Sequence, residues 1–330
     1  MTLKNDKKSI VVVGAGFGGL RTAIMLARRM KSGTGYEIIL IDRHHHHLYT
    51  PALYEVAAIP REYLNDKSLA SSILIPIPEI IRGLPIKFIS DEVTGHDVAD
   101  HSLALRANGT LSYEYLVLAL GSETNYFNIP GLQEVSSPLK TYDDAALLRN
   151  KIETVLKEKP SLKIVVGGAG ASGVELIAEL VNFTCALIEK IVTTPHICDV
   201  TFFLAEASGE ILPEFDPWVV TRARARLQSL GVVIKTGSPI TRADTRTVFF
   251  ADGTEQEFDV LIWTGGVKGP SALTLFNLPT SPKGTLIVGQ DLCVTESDEK
   301  IFAVGDNAWL ENPETKKPLP WNAPVAEDEG

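Results

Sequence analysis

The chain has 330 residues, 45% of them hydrophobic and 22% charged, with a mean hydropathy of +0.09. That balance suits a globular protein of two domains, at about 100–200 residues each. A formal net charge of −10 argues against a nucleic-acid partner, which favours a basic face, and against purely electrostatic attachment to anionic lipid.

The opening MTLKNDKKSI has no secretory h-region, and no apolar run is expected to reach the ~18 residues of a membrane span. The chain is therefore expected to be cytoplasmic, or at most peripheral on the cytoplasmic face of a membrane. Residues 9–42 then predict strand, glycine loop, helix and strand. The apolar SIVVV runs into Gly14-Ala15-Gly16-Phe17-Gly18-Gly19, Leu20, Ala23, Ile24 and Ala27 follow at helical spacing, and the second strand ends at Asp42. The next stretch, HHHHLYTP (44–51), raises the possibility of a metal site. Neighbours in an extended segment alternate sides, so four successive histidines cannot converge on one ion. No metal is expected, and the histidine run is read as incidental. ILIPIPEII (73–81) is too broken by proline to anchor a membrane and reads as a loop packed on the core.

Further along, NGTLSYEYLVLALG (108–121) predicts a hairpin turn and an apolar strand closing on glycine. Residues 122–140 read as linker. TYDDAALLRNKIETVLKEK (141–159) predicts a capped amphipathic helix with Asp143 and Asp144 at its positive end. Residues 162–206 then repeat the opening pattern, with Gly168, Gly170 and Gly173 in the loop and Glu206 closing the second strand. DGTEQEFDVLIWTG (252–265) repeats the hairpin and glycine-ended strand. TLIVG and KIFAVGDNAWL predict strands returning to the first domain. In the tail WNAPVAEDEG, Asn322 is a predicted N-cap, Pro324 suits the first turn, and Glu327 to Glu329 are expected near the helix's positive end. Cys185, Cys198 and Cys293 form no CxxC pair and are odd in number, so buried free thiols in a reducing compartment are expected. Trp218, Trp263, Trp309 and Trp321 are read as packing residues, Lys163 and Lys268 as surface lysines.

The duplicated glycine loops carry the chemistry. Gly14 and Gly168 permit the tight turn out of the strand. Gly16 and Gly170 let backbone approach a pyrophosphate, and Gly19 and Gly173 let helix pack on sheet. The helix N-terminus offers N–H groups and positive potential to phosphates. Asp42 and Glu206 are expected to bond ribose hydroxyls, and Glu206 would repel a 2′-phosphate, favouring NADH over NADPH. The fold class is therefore α/β, with two Rossmann-like dinucleotide-binding domains.

With IFAVGD added, the sequence resembles the two-dinucleotide-binding flavoprotein superfamily that includes glutathione reductase and lipoamide dehydrogenase. The resemblance implies FAD in the first unit and NAD(P)H in the central one, with the NAD domain inserted in the FAD domain. It implies residues 1–125 and 268–330 for the FAD domain and 126–267 for the NAD(P)H domain. It brings Gly305 and Asp306 to the flavin's ribityl chain, Val93 to the adenine, and the helix N-terminus at Ala323 to the flavin O2. No redox cysteine pair stands where disulfide reductases carry theirs.

The segments VVVGAGFGGL, LIDRHHHHLYTPALYEVA, YLVLALGSETNYFNIPG, PLKTYDDAALLRNKI, VVGGAGASGVELIAEL and IFAVGDNA resemble type II NADH:quinone oxidoreductases over most of residues 9–310. The resemblance implies a flavin-dependent enzyme that passes a hydride from NADH to FAD and electrons on to a quinone without proton pumping. It places Leu48 to Pro51, with Thr50 and Pro51 foremost, beside the flavin, adds Gly18, Arg43, Ala119 and Gly121 to the FAD site and Ser172 and Gly265 to the NAD site, and makes Glu175 the catalytic candidate. The family's Ala-Gln-x-Ala-x-Gln segment falls on Ala323 to Asp328, where both glutamines are absent. The family continues into amphipathic helices that dock on the membrane, so contact with a membrane surface is expected only if such a C-terminal anchor exists. A homodimer is a further expectation. The alternatives are a soluble NADH:acceptor or ferredoxin reductase, a sulfide:quinone oxidoreductase, and a non-catalytic flavin-binding redox sensor.

Overall fold

The computed structural model describes residues 8–30, 35–60, 71–158, 161–191, 199–315 and 317–330. The chain divides into two compact units. One comprises Met1–Leu48, Leu74–Glu123 and Val267–Gly330, the other Tyr49–Ile73 and Thr124–Gly266.

The first unit is built on a five-stranded parallel sheet in the order Ile301–Ala303, Tyr115–Leu118, Lys8–Val13, Tyr36–Asp42, Ile86–Ser90. Its central strands are apolar on both faces because both faces are covered: Val11, Val12, Ile39, Leu40 and Ile41 are wholly buried. Each such side chain contributes roughly 1.5–3 kcal/mol relative to exposure. The predicted hairpin appears as the antiparallel strands Val93–Asp97, Ser102–Leu105 and Gly109–Ser112. The C-terminal strand Ile301–Ala303 returns to this sheet beside Leu116–Leu118.

The second unit repeats the plan. Its parallel sheet runs Ser136–Pro138, Val260–Trp263, Ser161–Gly167, Asp199–Ala205, Val233–Lys235. The helix Tyr142–Glu158 opens with a reciprocal cap: the Asp144 N–H donates to Thr141 Oγ1 at 3.1 Å, and the Thr141 N–H to the Asp144 carboxylate at 2.8 Å. Lys159, the last residue of the predicted helix, lies outside the described residues.

Several expectations change. The stretch 122–140 is not only linker: Ser136–Pro138 pairs with Leu261–Trp263 as an edge strand, a position that tolerates proline. ILIPIPEII supplies a short strand, Leu74–Pro76, paired with His46–Leu48, and a helical turn, Ile77–Ile80, with Ile77 buried. The segment Tyr49–Ile73 groups with the second unit, where Leu53–Ala57 packs on the helices Tyr142–Glu158 and Ala171–Ile191. One helix, Ala171–Glu189, does have the length and apolarity of a membrane span; it starts in a glycine loop and packs on its own sheet, which makes it a core helix. Cys185 is disulfide-bonded rather than a free thiol, and Cys198 lies outside the described residues. Trp218 is 63% exposed and so is no core residue, whereas Trp263 is buried. Lys163 is a surface lysine, paired with Glu257 at 2.6 Å.

Candidate functional site

Each unit places a glycine loop at the C-terminal edge of its central strand, and the two loops agree in detail. Gly14 has φ +103° and Gly168 φ +101°, a region that L side chains avoid. A Cβ on Gly14 would lie 2.1 Å from the Ala119 carbonyl oxygen, and one on Gly168 2.4 Å from the Gly265 Cα. A Cβ on Gly19 would meet the Gly14 oxygen at 1.9 Å, and one on Gly173 the Gly168 oxygen at 2.0 Å. By contrast, a Cβ on Gly16 or Gly170 would meet nothing within 4 Å. The middle glycine of each loop therefore borders open space. The helices that the loops introduce, Phe17–Arg29 and Ala171–Ile191, have no acidic residue in the first turn, so their positive ends are available to an anion.

The strand-end acids are also matched. Asp42 Oδ2 accepts the Ala15 N–H at 2.7 Å and Oδ1 the His44 N–H at 2.8 Å. Glu206 Oε2 accepts the Ala169 N–H at 2.7 Å and Oε1 the Ser208 N–H at 2.8 Å. Both carboxylates therefore fix the loop's backbone. Each oxygen keeps a second lone pair for a further donor.

In the first unit the adjacent strand ends complete the surround. Ala119 is buried and Gly121 turns with φ +70°. Ser122 Oγ donates to Asp306 Oδ2 at 2.6 Å. Asn307, wholly buried, accepts the Gly121 N–H at 3.3 Å and donates to the Leu118 carbonyl at 2.9 Å. Gly18 backs onto Val304 and the Ala326 carbonyl, where a Cβ would come within 3.1 and 3.2 Å. Arg43 is exposed beside Asp42, and Val93 begins its hairpin strand opposite Leu105. Asn322 caps the helix Ala323–Glu329, accepting the Val325 N–H at 3.0 Å. The acids of that helix lie beyond its first turn rather than at its positive end. Glu329 turns back instead, and its carboxylate accepts the Gly305 N–H at 2.6 Å. Burial pushes the Glu329 carboxyl up; the Gly305 N–H pulls it down and the Asp306 charge pushes it up again.

In the second unit Ser172 is exposed in the first turn and Gly173 is buried beneath it. Thr50 and Pro51, expected against the flavin, form an exposed 3-10 turn in the segment that groups with this unit. Glu175 keeps an exposed edge, yet enough protein surrounds it to raise its carboxyl above the ordinary range by desolvation. Tyr54 stands nearby: burial raises its phenol, and the charges of Glu55, Glu175 and Glu179 add to the effect.

Sequence reasoning missed the roles of His47 and Asn307, and placed Glu329 at the wrong end of its helix. His47, treated as incidental, is 6% exposed with Nδ1 2.9 Å from the Ala15 carbonyl oxygen. The only available signal was strand alternation, which places His47 inward of His46 and Leu48. Among the described residues no cluster of His, Cys, Asp and Glu is arranged to hold a metal.

Two parallel sheets, each with a glycine loop clamped by its own strand-end acid, are the architecture of a protein with two dinucleotide-binding units. The chain belongs to the pyridine nucleotide-disulphide oxidoreductase family, whose model matches residues 8–330. It is 29% identical to a type II NADH:quinone oxidoreductase of Staphylococcus haemolyticus, over 99% of this chain and 81% of that protein. Its fold is similar to that of NDH2 from Plasmodium falciparum, solved in complex with NADH (TM-score 0.77, 20% identity, 92% of this chain and 65% of that one). It is also similar to a ferredoxin reductase from Rhodopseudomonas palustris (TM-score 0.75, 22% identity, 98% of this chain and 74% of that one).

Proposed function

We propose that this chain is a non-electrogenic, flavin-dependent NADH:quinone oxidoreductase, with FAD on the first unit and NADH on the second. The observation that carries it is the matched pair of glycine loops, each open at its middle glycine and each clamped by an acid. The Staphylococcus relative's name supports quinone as acceptor. FAD held on the first unit would supply the chemistry of hydride acceptance and onward electron transfer, and the protein its binding and orientation.

The residues do the rest. Gly16, Gly18 and the N-terminus of Phe17–Arg29 would hold the FAD pyrophosphate, and Asp306, steadied by Ser122, the ribityl chain. Gly170, Ser172 and the N-terminus of Ala171–Ile191 would hold that of NADH. Glu206, fixed by two backbone N–H groups, meets a ribose 2′-hydroxyl but repels a 2′-phosphate. Glu175 keeps its proton to higher pH than an ordinary carboxyl and is the candidate to hand one to a reduced quinone. Anaerobic mixing of the flavin-loaded protein with NADH tests this: the flavin's visible absorption should bleach, and a short-chain quinone should restore it. No bleaching contradicts the dehydrogenase reading; bleaching without reoxidation contradicts the quinone only.

A second reading, an NADH:soluble-acceptor or ferredoxin reductase, draws on Pro324 and Asp328, which stand where the quinone-reducing pattern has glutamines. Reoxidation by ferredoxin but not by quinone would decide for it.

A further inference from the structure

The peptide joining Ala15 to Gly16 is held from both ends. The Ala15 N–H donates to Asp42, and the Ala15 carbonyl faces His47 Nδ1 at 2.9 Å. A carbonyl only accepts, so this Nδ1 carries the proton. The His47 ring is buried and meets the Phe17 ring edge-on, 4.8 Å between centroids, while its strand is paired with Leu74–Pro76. The ring therefore cannot swing away without disturbing its neighbours. No described peptide is cis, and in a trans peptide the C=O and the next N–H point in opposite directions. Drawing the Ala15 oxygen toward the buried His47 ring turns the Gly16 N–H the opposite way, away from that ring.

The second unit reaches the same orientation by another route. The Ala169 carbonyl accepts the backbone N–H of Leu212 at 2.8 Å. Where one loop has a main-chain donor, the other has an imidazole.

We propose that His47 is a positioning residue for the N-terminal dinucleotide loop. Its Nδ1–H fixes the Ala15–Gly16 peptide so that the Gly16 N–H is presented to a dinucleotide pyrophosphate. The proposal rests on the reading that this unit takes FAD. It makes one member of the histidine run part of the cofactor site without any metal.

The test uses the full chain, stripped of flavin and titrated with FAD, with NADH titration of the same samples as control. His47→Asn keeps an N–H at the position of Nδ1; His47→Leu has nearly the same shape without the donor. The Leu variant should bind FAD about tenfold more weakly or worse, the Asn variant within about threefold of the parent, and NADH affinity should not move in either. If His47→Leu fails to fold, His47→Phe keeps a ring against Phe17 without the donor. Equal FAD affinity across the series overturns the proposal, as does an Asn variant as weak as the Leu one. Failure of the FAD assignment looks different, because the parent itself would not bind FAD. Amide exchange at Gly16 to Gly18 in the unliganded protein then still decides: faster in Leu than in Asn supports the clamp, and no difference overturns it.

Discussion

The two glycine loops perform one task with different means of support. Both turn at a left-handed glycine, both pin an alanine N–H to a strand-end acid, and both bury the glycine that seats the helix. They part at the alanine carbonyl. The second unit answers it with the N–H of Leu212, a residue at φ +48°, a conformation that costs a residue with a Cβ roughly 1–2 kcal/mol. The first unit answers it with His47, from a strand that follows the acid by only a few residues. A backbone donor survives almost any substitution at its own position, whereas a side-chain donor is lost with one. The first loop is therefore the one that mutation can detune selectively.

The comparison breaks most sharply at the turning glycines. Gly14→Ala and Gly168→Ala each force a Cβ against backbone at 2.1 or 2.4 Å in a left-handed conformation. Each should lower stability by about 3 kcal/mol or more in denaturant titration. A variant tolerated in one unit only would show that the loops are not equivalent. Next come the acids. Asp42→Ala and Glu206→Ala each remove two charge-assisted bonds to backbone N–H groups, and a loss of about 2–3 kcal/mol is expected for both. Glu206→Ala should in addition narrow the preference for NADH over NADPH, measured as the ratio of kcat/KM values.

The smallest effect is at Glu175. Its folded carboxyl is raised, so between the unfolded value and the folded one the folded state binds more protons. Stability therefore falls as pH rises through that window and stays lower above it. Glu175→Gln should remove this fall, leaving a small gain at neutral pH and none in acid. A variant whose pH profile parallels the parent's would contradict the raised carboxyl.

Much of this was legible in the sequence because it is local. The strand–glycine–helix runs, the closing acids and the Asn-Gly and Asp-Gly turns all appear where short-range pattern puts them, with Gly109 and Gly253 at positive φ. What was hidden depends on long-range contact. His47 looks like one of four equal histidines until the loop carbonyl of Ala15 is brought beside it. Asn307 looks like the tail of a Gly-Asp motif until it bridges Gly121 and Leu118. Glu329 reads as an acid for a helix's positive end until the fold brings its carboxylate to the Gly305 N–H. The edge strand Ser136–Pro138 is three residues long and ends in proline, too little for any periodicity to reveal. The grouping of Thr50 and Pro51 with the second unit follows from apolar packing of Leu53, Val56 and Ala57, which sequence resemblance does not encode.

The most direct test exploits the two glycines that have room to spare. Gly16→Ala and Gly170→Ala add a methyl group into open space at each loop, so folding should be unaffected in both. Titrating each variant with FAD and with NADH should give crossed results: Gly16→Ala loses FAD and keeps NADH, and Gly170→Ala loses NADH and keeps FAD. Loss of both ligands in either variant, or loss of the opposite one, would contradict the assignment of one dinucleotide to each loop.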